Sequence, residues 1–136
     1  MRIADTSLLY ALFSREDIHH DEAVLRMQEP ETVLIPSEIW SETISLIHYR
    51  QGFDMAIKAG NALLGLPHVE VLSSRMDILR SSWRTYVEAE GKPSIADCIV
   101  LAWCDDKRAT PLTFDEDIKR HHEKEARPSR RESGKR

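Results

Sequence analysis

Four short apolar runs, Arg2–Asp5, Thr32–Ile35, Val69–Leu72 and Thr110–Thr113, punctuate this chain, and the spacers between them are 26, 33 and 37 residues long. That spacing is the strongest constraint on the fold. Such spacers are too long for hairpins and long enough for a helical crossover, so successive strands are expected to run parallel. Each spacer reads as two helices. The chain order is then β-αα-β-αα-β-αα-β-α, an α/β class with a mostly parallel sheet and helices on both faces.

The helix boundaries are legible from punctuation. A helix follows the first strand through Ser7–Phe13, and a second spans His19–Gln28, with Ala23, Val24 and Met27 at helical spacing before Pro30. Pro36-Ser37 opens a third helix to Arg50, Gly52 separates it from Phe53–Leu64, and Gly65 with Pro67 closes that one. Arg75–Glu90 stops at Gly91, Pro93-Ser94 opens the next helix through Asp105, and Glu116–His122 forms the last. Residues 1–122 are expected to form one domain. Glu123–Arg136 contains no large apolar residue and reads as a basic, disordered tail.

Charge is unevenly placed. Residues 1–118 carry a net −9, and residues 119–136 carry a net +5. An acidic body repels phosphate, which disfavours purely electrostatic nucleic-acid binding by the domain. The tail cations, Arg127, Arg130, Arg131, Lys135 and Arg136 among them, suit either a solvated terminus or weak RNA attraction. Cys98 and Cys104 match neither a redox pair nor a zinc knuckle and flank an apolar run, so buried thiols and a cytoplasmic setting are expected. No apolar run approaches the ~20 residues of a membrane span, and the start, Met-Arg-Ile-Ala-Asp, is unlike a signal peptide. The pairs His19-His20 and His121-His122 lack metal-binding helical spacing.

In an open α/β sheet, chemistry collects beyond the carboxyl ends of the strands. Asp5 ends the first strand, and Asp115 and Asp117 follow the fourth. Glu42 lies early in the helix after the second strand, and Asp97 lies in the first turn of the helix before the fourth. Each acid has a plainer use. Asp5 can cap the first helix, Ser94-Ile-Ala-Asp97 resembles a capping box, and Thr113-Phe-Asp-Glu116 is a fuller one that leaves Asp115 free. Capping does not require acids this close to apolar segments, however, and clustered carboxylates repel unless a cation neutralises them. Glu38 competes with Glu42. On a helical wheel Glu42 falls within about 60° of Ile39 and Leu46, flanking the apolar stripe, and is favoured.

These pieces together resemble the PIN-domain nucleases, particularly the small VapC-type toxins. The resemblance runs over about residues 1–120. It is carried by Ile3-Ala4-Asp5-Thr6-Ser7, Asp17-Ile-His-His-Asp-Glu-Ala23, Val33-Leu-Ile-Pro36 with Glu42 six residues on, Ser94-Ile-Ala-Asp97, and Thr113-Phe-Asp115-Glu-Asp117. It implies a three-layer fold with a four- or five-stranded sheet, although apolar content stops at Ile118, so that a last strand is either missing or very degenerate. By position, Asp5, Glu42, Asp97 and Asp115 resemble the family's acidic quartet and Asp117 its auxiliary acid. Thr6 and Thr113 resemble its hydroxyl residues beside the metal, though either could cap a helix.

A set of hard oxygen donors without Cys or a His motif suits Mg²⁺ or Mn²⁺. The resemblance implies an endoribonuclease that hydrolyses RNA phosphodiester bonds with metal-activated water, acting as the toxin of a toxin–antitoxin pair. It also implies a homodimer and a small antitoxin lying across the early helices. A housekeeping RNA-processing nuclease and a catalytically silent RNA- or protein-binding module of the same fold are the alternatives.

Overall fold

The computed structural model describes residues 1–134, with side chains described to Glu125. Its elements are β1 (Arg2–Ala4), α1 (Thr6–Phe13), α2 (His20–Gln28), β2 (Val33–Pro36), α3 (Ser37–Gln51), α4 (Phe53–Gly65), β3 (Val69–Leu72), α5 (Met76–Glu88), α6 (Ile95–Lys107), β4 (Thr110–Leu112) and α7 (Glu116–Gly134). The expected order of strands and paired helices is present throughout. The last helix is longer than the expected Glu116–His122. The division expected between residues 122 and 123 falls inside it, and the tail cations from Arg127 onward lie outside the described side chains.

The four strands form one sheet in the order β3-β2-β1-β4, and every pairing is parallel. A fifth strand is absent among the described residues. β1 and β2 are buried over their whole length, as strands covered on both faces should be. The chain steps from β1 to β2 to β3 in one direction, then returns past β1 to place β4 on the far side. Because parallel crossovers are right-handed, the reversal puts α5 and α6 on the opposite face from α1–α4. Packing follows this division: α1 lies against α2 and α3, α3 against α4, and α5 and α7 against α6.

α6 is the central helix. Cys98, Ile99, Val100, Leu101, Trp103 and Cys104 are all buried, so it is apolar around most of its circumference and rests on β1, β2 and β4. The thiols are buried as expected, and burial pushes the Cys98 pKa up to about 11 and that of Cys104 to about 12. The main core joins α6 to Ile3, Leu8, Leu9, Ile35, Ile39 and Ile118. A smaller cluster of Ile47, Ala56 and Ala59 lies between α3 and α4. At the amino ends of the strands, buried Arg2 donates to the carbonyls of Arg26 and Glu31 at 2.9 and 3.0 Å, tying β1 to the α2–β2 connection. Gly52, between α3 and α4, has φ +95°, a conformation that only glycine adopts without strain.

The core assignment makes a direct prediction. Leu8 has no exposed surface, so Leu8→Ala should cost about 2–5 kcal/mol in urea denaturation. Ile18 is 92% exposed, and Ile18→Ala should stay within about 0.5 kcal/mol of wild type. Equal effects of the two would contradict this packing.

Candidate active site

The reversal of strand order makes a crevice between the carboxyl ends of β1 and β4, the usual ligand position in open α/β sheets. Register sets what lines it. Ala4 is level with Leu112, so the next residues of the two strands, Asp5 and Thr113, face each other. The Asp5 amide donates to the Leu112 carbonyl at 3.3 Å, and the Thr113 hydroxyl donates to Asp5 Oδ2 in a short hydrogen bond. Asp5 also accepts from the Leu8 amide at 3.1 Å, capping α1, and from the Ser7 hydroxyl at 2.8 Å. Its plain capping role and its place in the crevice are therefore both realised.

The hydroxyls relay this arrangement to the next acid. Thr113 Oγ1 accepts from the Asp115 amide at 2.9 Å, and Ser7 Oγ accepts from the Phe114 amide at 3.3 Å. Asp115 Oδ1 in turn accepts from the amides of Asp117 and Ile118 at 2.8 and 3.4 Å. Asp115 is thus the cap of α7. The capping box expected from Thr113 and Glu116 does not form, because the Thr113 hydroxyl is committed to Asp5 and to the Asp115 amide. Phe114 is clasped from outside, with His19 stacked on its ring at 4.3 Å and the Arg26 guanidinium 5.5 Å from its centre.

Asp97 arrives from α6. The Ser94–Asp97 capping box is present in both directions, with the Asp97 amide donating to Ser94 Oγ at 3.2 Å and the Ser94 amide to Asp97 Oδ2 at 3.4 Å. Asp97 Oδ1 is left over for other work. Asp97 and Asp117 line one cleft of about 320 Å³ with Lys92, Ser94 and His121. Asp117 also pairs with Arg120.

Electrostatics links the acids further. Asp5 is only 4% exposed, and burial pushes its carboxyl pKa up against the pull of Thr113, Leu8 and Ser7, with the charge of Asp97 adding to the rise. Burial also raises Asp97, and the charges of Asp115 and Glu42 push the same way. Glu42 therefore belongs to the field around Asp97, although it is exposed on α3. Glu38 is used elsewhere. It accepts from Ser37 at 2.9 Å and from Ser74 at 3.1 Å, fastening α3 to the segment after β3. Among the described residues Asp5, Glu42, Asp97 and Asp115 have no Lys or Arg partner in an ion pair.

The structure brings Asp5, Thr113 and Asp115 into one bonded network; Asp97 acts on Asp5 through its charge, and Asp115 and Glu42 act on Asp97 in the same way. Asp117 shares the cleft of Asp97. No three His, Cys, Asp or Glu side chains close into an ion-holding group among the described residues. Asp5, Glu42, Asp97 and Asp115 still fit a hard divalent cation, because they are acids without cationic partners among the described residues and their charges oppose one another. The Thr6 hydroxyl is buried without a partner beside Asp5 in the sequence. Ser7, Lys92 and His121 were not marked by the sequence as site residues. For Ser7, a hydroxyl two residues after a strand-end Asp was the available signal. For Lys92 and His121 there was none, since only the α5–α6 turn and α7 bring them beside Asp97.

A model of the PIN domain family matches residues 2–124. Comparison with curated protein sequences gives no match. Among solved structures, the chain is similar to VapC20 of Mycobacterium tuberculosis, described as a sarcin-ricin loop cleaving toxin. The two share 26% identity over 89% of this chain and 95% of that one, with a TM-score of 0.80. A toxin–antitoxin complex from Klebsiella pneumoniae shares the fold at 21% identity, over 87% of this chain and 90% of that one, with a TM-score of 0.65.

The repulsion among the acids predicts a stability effect. Asp97→Asn keeps the acceptor of the capping box and removes one charge. Its melting temperature in EDTA should rise by a few degrees over wild type, and added Mg²⁺ should stabilise wild type more than the variant. Scanning calorimetry with and without Mg²⁺ measures both, and an identical Mg²⁺ response would remove Asp97 from the cation site.

Proposed function

From the premise that the chain belongs to the PIN domain family, we propose that it is a divalent-metal-dependent endoribonuclease and the toxin of a toxin–antitoxin pair. The observation that carries this reading is the Asp5–Thr113–Asp115 network at the β1–β4 crevice, with the charge of Asp97 acting on Asp5 and those of Asp115 and Glu42 acting on Asp97. Similarity to VapC20 over nearly the whole of both chains supports the ribonuclease and toxin assignments. The proposed setting is cytoplasmic, where such a substrate resides; no helix among the described residues is long and apolar enough to cross a membrane.

In this reading Asp5, Asp97, Asp115 and Glu42 hold Mg²⁺ or Mn²⁺, with Asp117 as an auxiliary ligand. A bound divalent cation neutralises phosphate charge and lowers the pKa of water, the two things phosphodiester hydrolysis at neutral pH needs. The chain's own residues supply placement. Thr113 and Ser7 orient the Asp5 carboxylate through three hydrogen-bonded contacts, so that it is held at one angle to the crevice. Asp115 is aimed by the Thr113 hydroxyl and by the first turn of α7. Lys92 stands on the wall of the Asp97 cleft, where a substrate phosphate would meet a compensating positive charge.

Two surfaces fit the proposed partners. A groove of about 880 Å³ runs between α1 and α4, lined by Tyr10, Phe13, Arg15, Arg50, Met55 and Lys58 among others. Its mixed apolar and basic lining suits an amphipathic antitoxin segment carrying acids. On α3 and α4, Phe53 is 63% exposed and Leu64 is 64% exposed, beside Trp40 and Ile44. That apolar patch suits the twofold interface of a homodimer.

Two measurements test the reading. Wild-type protein should cleave total RNA with Mg²⁺ or Mn²⁺, stop in EDTA, and lose about a hundredfold or more in rate on Asp97→Asn. Cleavage that survives EDTA, or is equal in Asp97→Asn, contradicts it. In parallel, Glu42→Gln should abolish cleavage with little change in stability. Glu38→Ala should retain cleavage and lose about 1 kcal/mol through its two serine contacts. The reverse pattern would transfer the catalytic position to Glu38.

A further inference from the structure

α5 buries Ile78 and Ser82 toward the core and presents a second stripe outward. Met76, Arg80, Trp83, Arg84 and Val87 recur at spacings of three or four residues and so share one face. On that face Met76 is 60% exposed, Trp83 is 59% exposed and Val87 is 54% exposed. Three large apolar side chains bracketing two arginines form an interaction surface rather than an ordinary solvated face. Trp83, expected from sequence to serve in core or interface, is outside the core.

The cations on this stripe are free to meet a ligand. Arg75, just before the helix, is held by Asp77 and Asp106. Among the described residues Arg80 and Arg84 have no ion-pair partner, and Glu88 lies one turn beyond Arg84 without pairing with it. The aromatic surface also leads somewhere. Trp83 stacks on Tyr86 with ring centres 5.5 Å apart and planes 25° from parallel. The Tyr86 ring lies 3.6 Å from where a Cβ on Gly91 would stand. Gly91 and Lys92 form the wall of the cleft that holds Asp97 and Asp117.

We propose that the Trp83–Tyr86 stack, with Arg80, Arg84 and Lys92, is the docking surface for single-stranded RNA that leads over the α5–α6 turn into the acidic cleft. This deepens the ribonuclease reading and rests on it. Charge and shape select the occupant. Stacked aromatic rings accept the π face of any base, and flanking arginines take the phosphates. A duplex hides its base faces from such a platform, which leaves an unpaired strand. Because the body as a whole is acidic, substrate must be captured by local cations next to the site, and this stripe supplies them. The other apolar patch, on α3 and α4, contrasts with it: the cleft there is lined by Trp40, Ile44, His48 and Phe53 without Lys or Arg, and suits protein rather than phosphate.

The test uses the full chain and a short single-stranded oligouridylate in EDTA. Trp103 is 2% exposed and Trp40 is half-buried, so quenching of tryptophan emission reports mainly on Trp83. Titration should quench wild type. Trp83→Ala, which removes the fluorescent reporter, should weaken binding about tenfold when measured by competition with wild type for the oligonucleotide, the loss expected for one stacked base. Trp83→Phe, which keeps a π face, should bind within about threefold of wild type when measured by competition. Arg80→Gln with Arg84→Gln should weaken binding and flatten its salt dependence. Circular dichroism should show every variant folded, since these side chains stand outside the core.

Wild-type affinity in Trp83→Ala would overturn the docking surface. So would a change in sedimentation with RNA affinity unchanged, which would make the stripe a self-association face. The two readings fail separately. Cleavage by wild type together with unaltered binding by Trp83→Ala removes the surface and leaves the nuclease. Affinity weakened about tenfold in Trp83→Ala by competition, with no cleavage by wild type, removes the nuclease and leaves an RNA-binding surface.

Discussion

The pairing of β1 with β4 is the constraint on which the site depends. It joins residues more than a hundred positions apart, and its register places Asp5 opposite Thr113. The Thr113 hydroxyl has one proton and gives it to Asp5, which leaves its lone pairs for the Asp115 amide. One side chain thereby fixes two acids. A one-residue slip in this pairing would turn Thr113 away from the crevice, because strand side chains alternate between faces. The buried Ile3 and Leu112 on the same strands oppose such a slip, so core packing and site geometry are set by the same register.

The acids make this arrangement electrostatically costly. The Asp5 and Asp97 carboxyls are raised from their ordinary value by burial first and by neighbouring charge second. An acid whose folded pKa is raised binds its proton more tightly in the folded state. Stability is therefore lost as pH climbs from the unfolded carboxylate pKa through the raised folded value. Capping recovers part of it, since Asp5, Asp97 and Asp115 each satisfy backbone amides at a helix start. The functional and capping readings of these acids are thus compatible: a carboxylate has two oxygens, and Asp97 and Asp115 spend one on the cap.

The reversal of the chain after β3 also sorts the surfaces. α1–α4 on one face carry the mixed groove and the charge-free apolar patch, both suited to protein. α5–α7 on the other face carry the cleft of Asp97 and the arginine-flanked aromatics. The acidic crevice lies at the seam, where Asp5 comes from one half of the chain and Asp97 from the other.

Most of the fold was determined locally. Glycine and proline punctuation located the helix boundaries to within one or two residues over most of the chain, and the 26- to 37-residue spacers required parallel strands. Position alone mapped the five acids to one edge of the sheet, three at strand ends and two near the starts of helices. Local pattern failed where a group had two possible partners. Thr113 read as half of a capping box with Glu116, because in sequence its nearest partner is three residues on, whereas in space Asp5 is closer. Glu42 was favoured over Glu38 on a helical wheel; in the tertiary structure Glu38 accepts from Ser74, and the charge of Glu42 acts on Asp97. Trp83 read as a core or interface residue because tryptophan is large and apolar, and only the packing of α5 on α6 decided between the two by setting which side of that helix faces solvent. Sequence determines which residues can share a strand or a helix face, since backbone periodicity is local. Which hydroxyl meets which carboxylate depends on strand order and register, and those arise from contacts between distant segments.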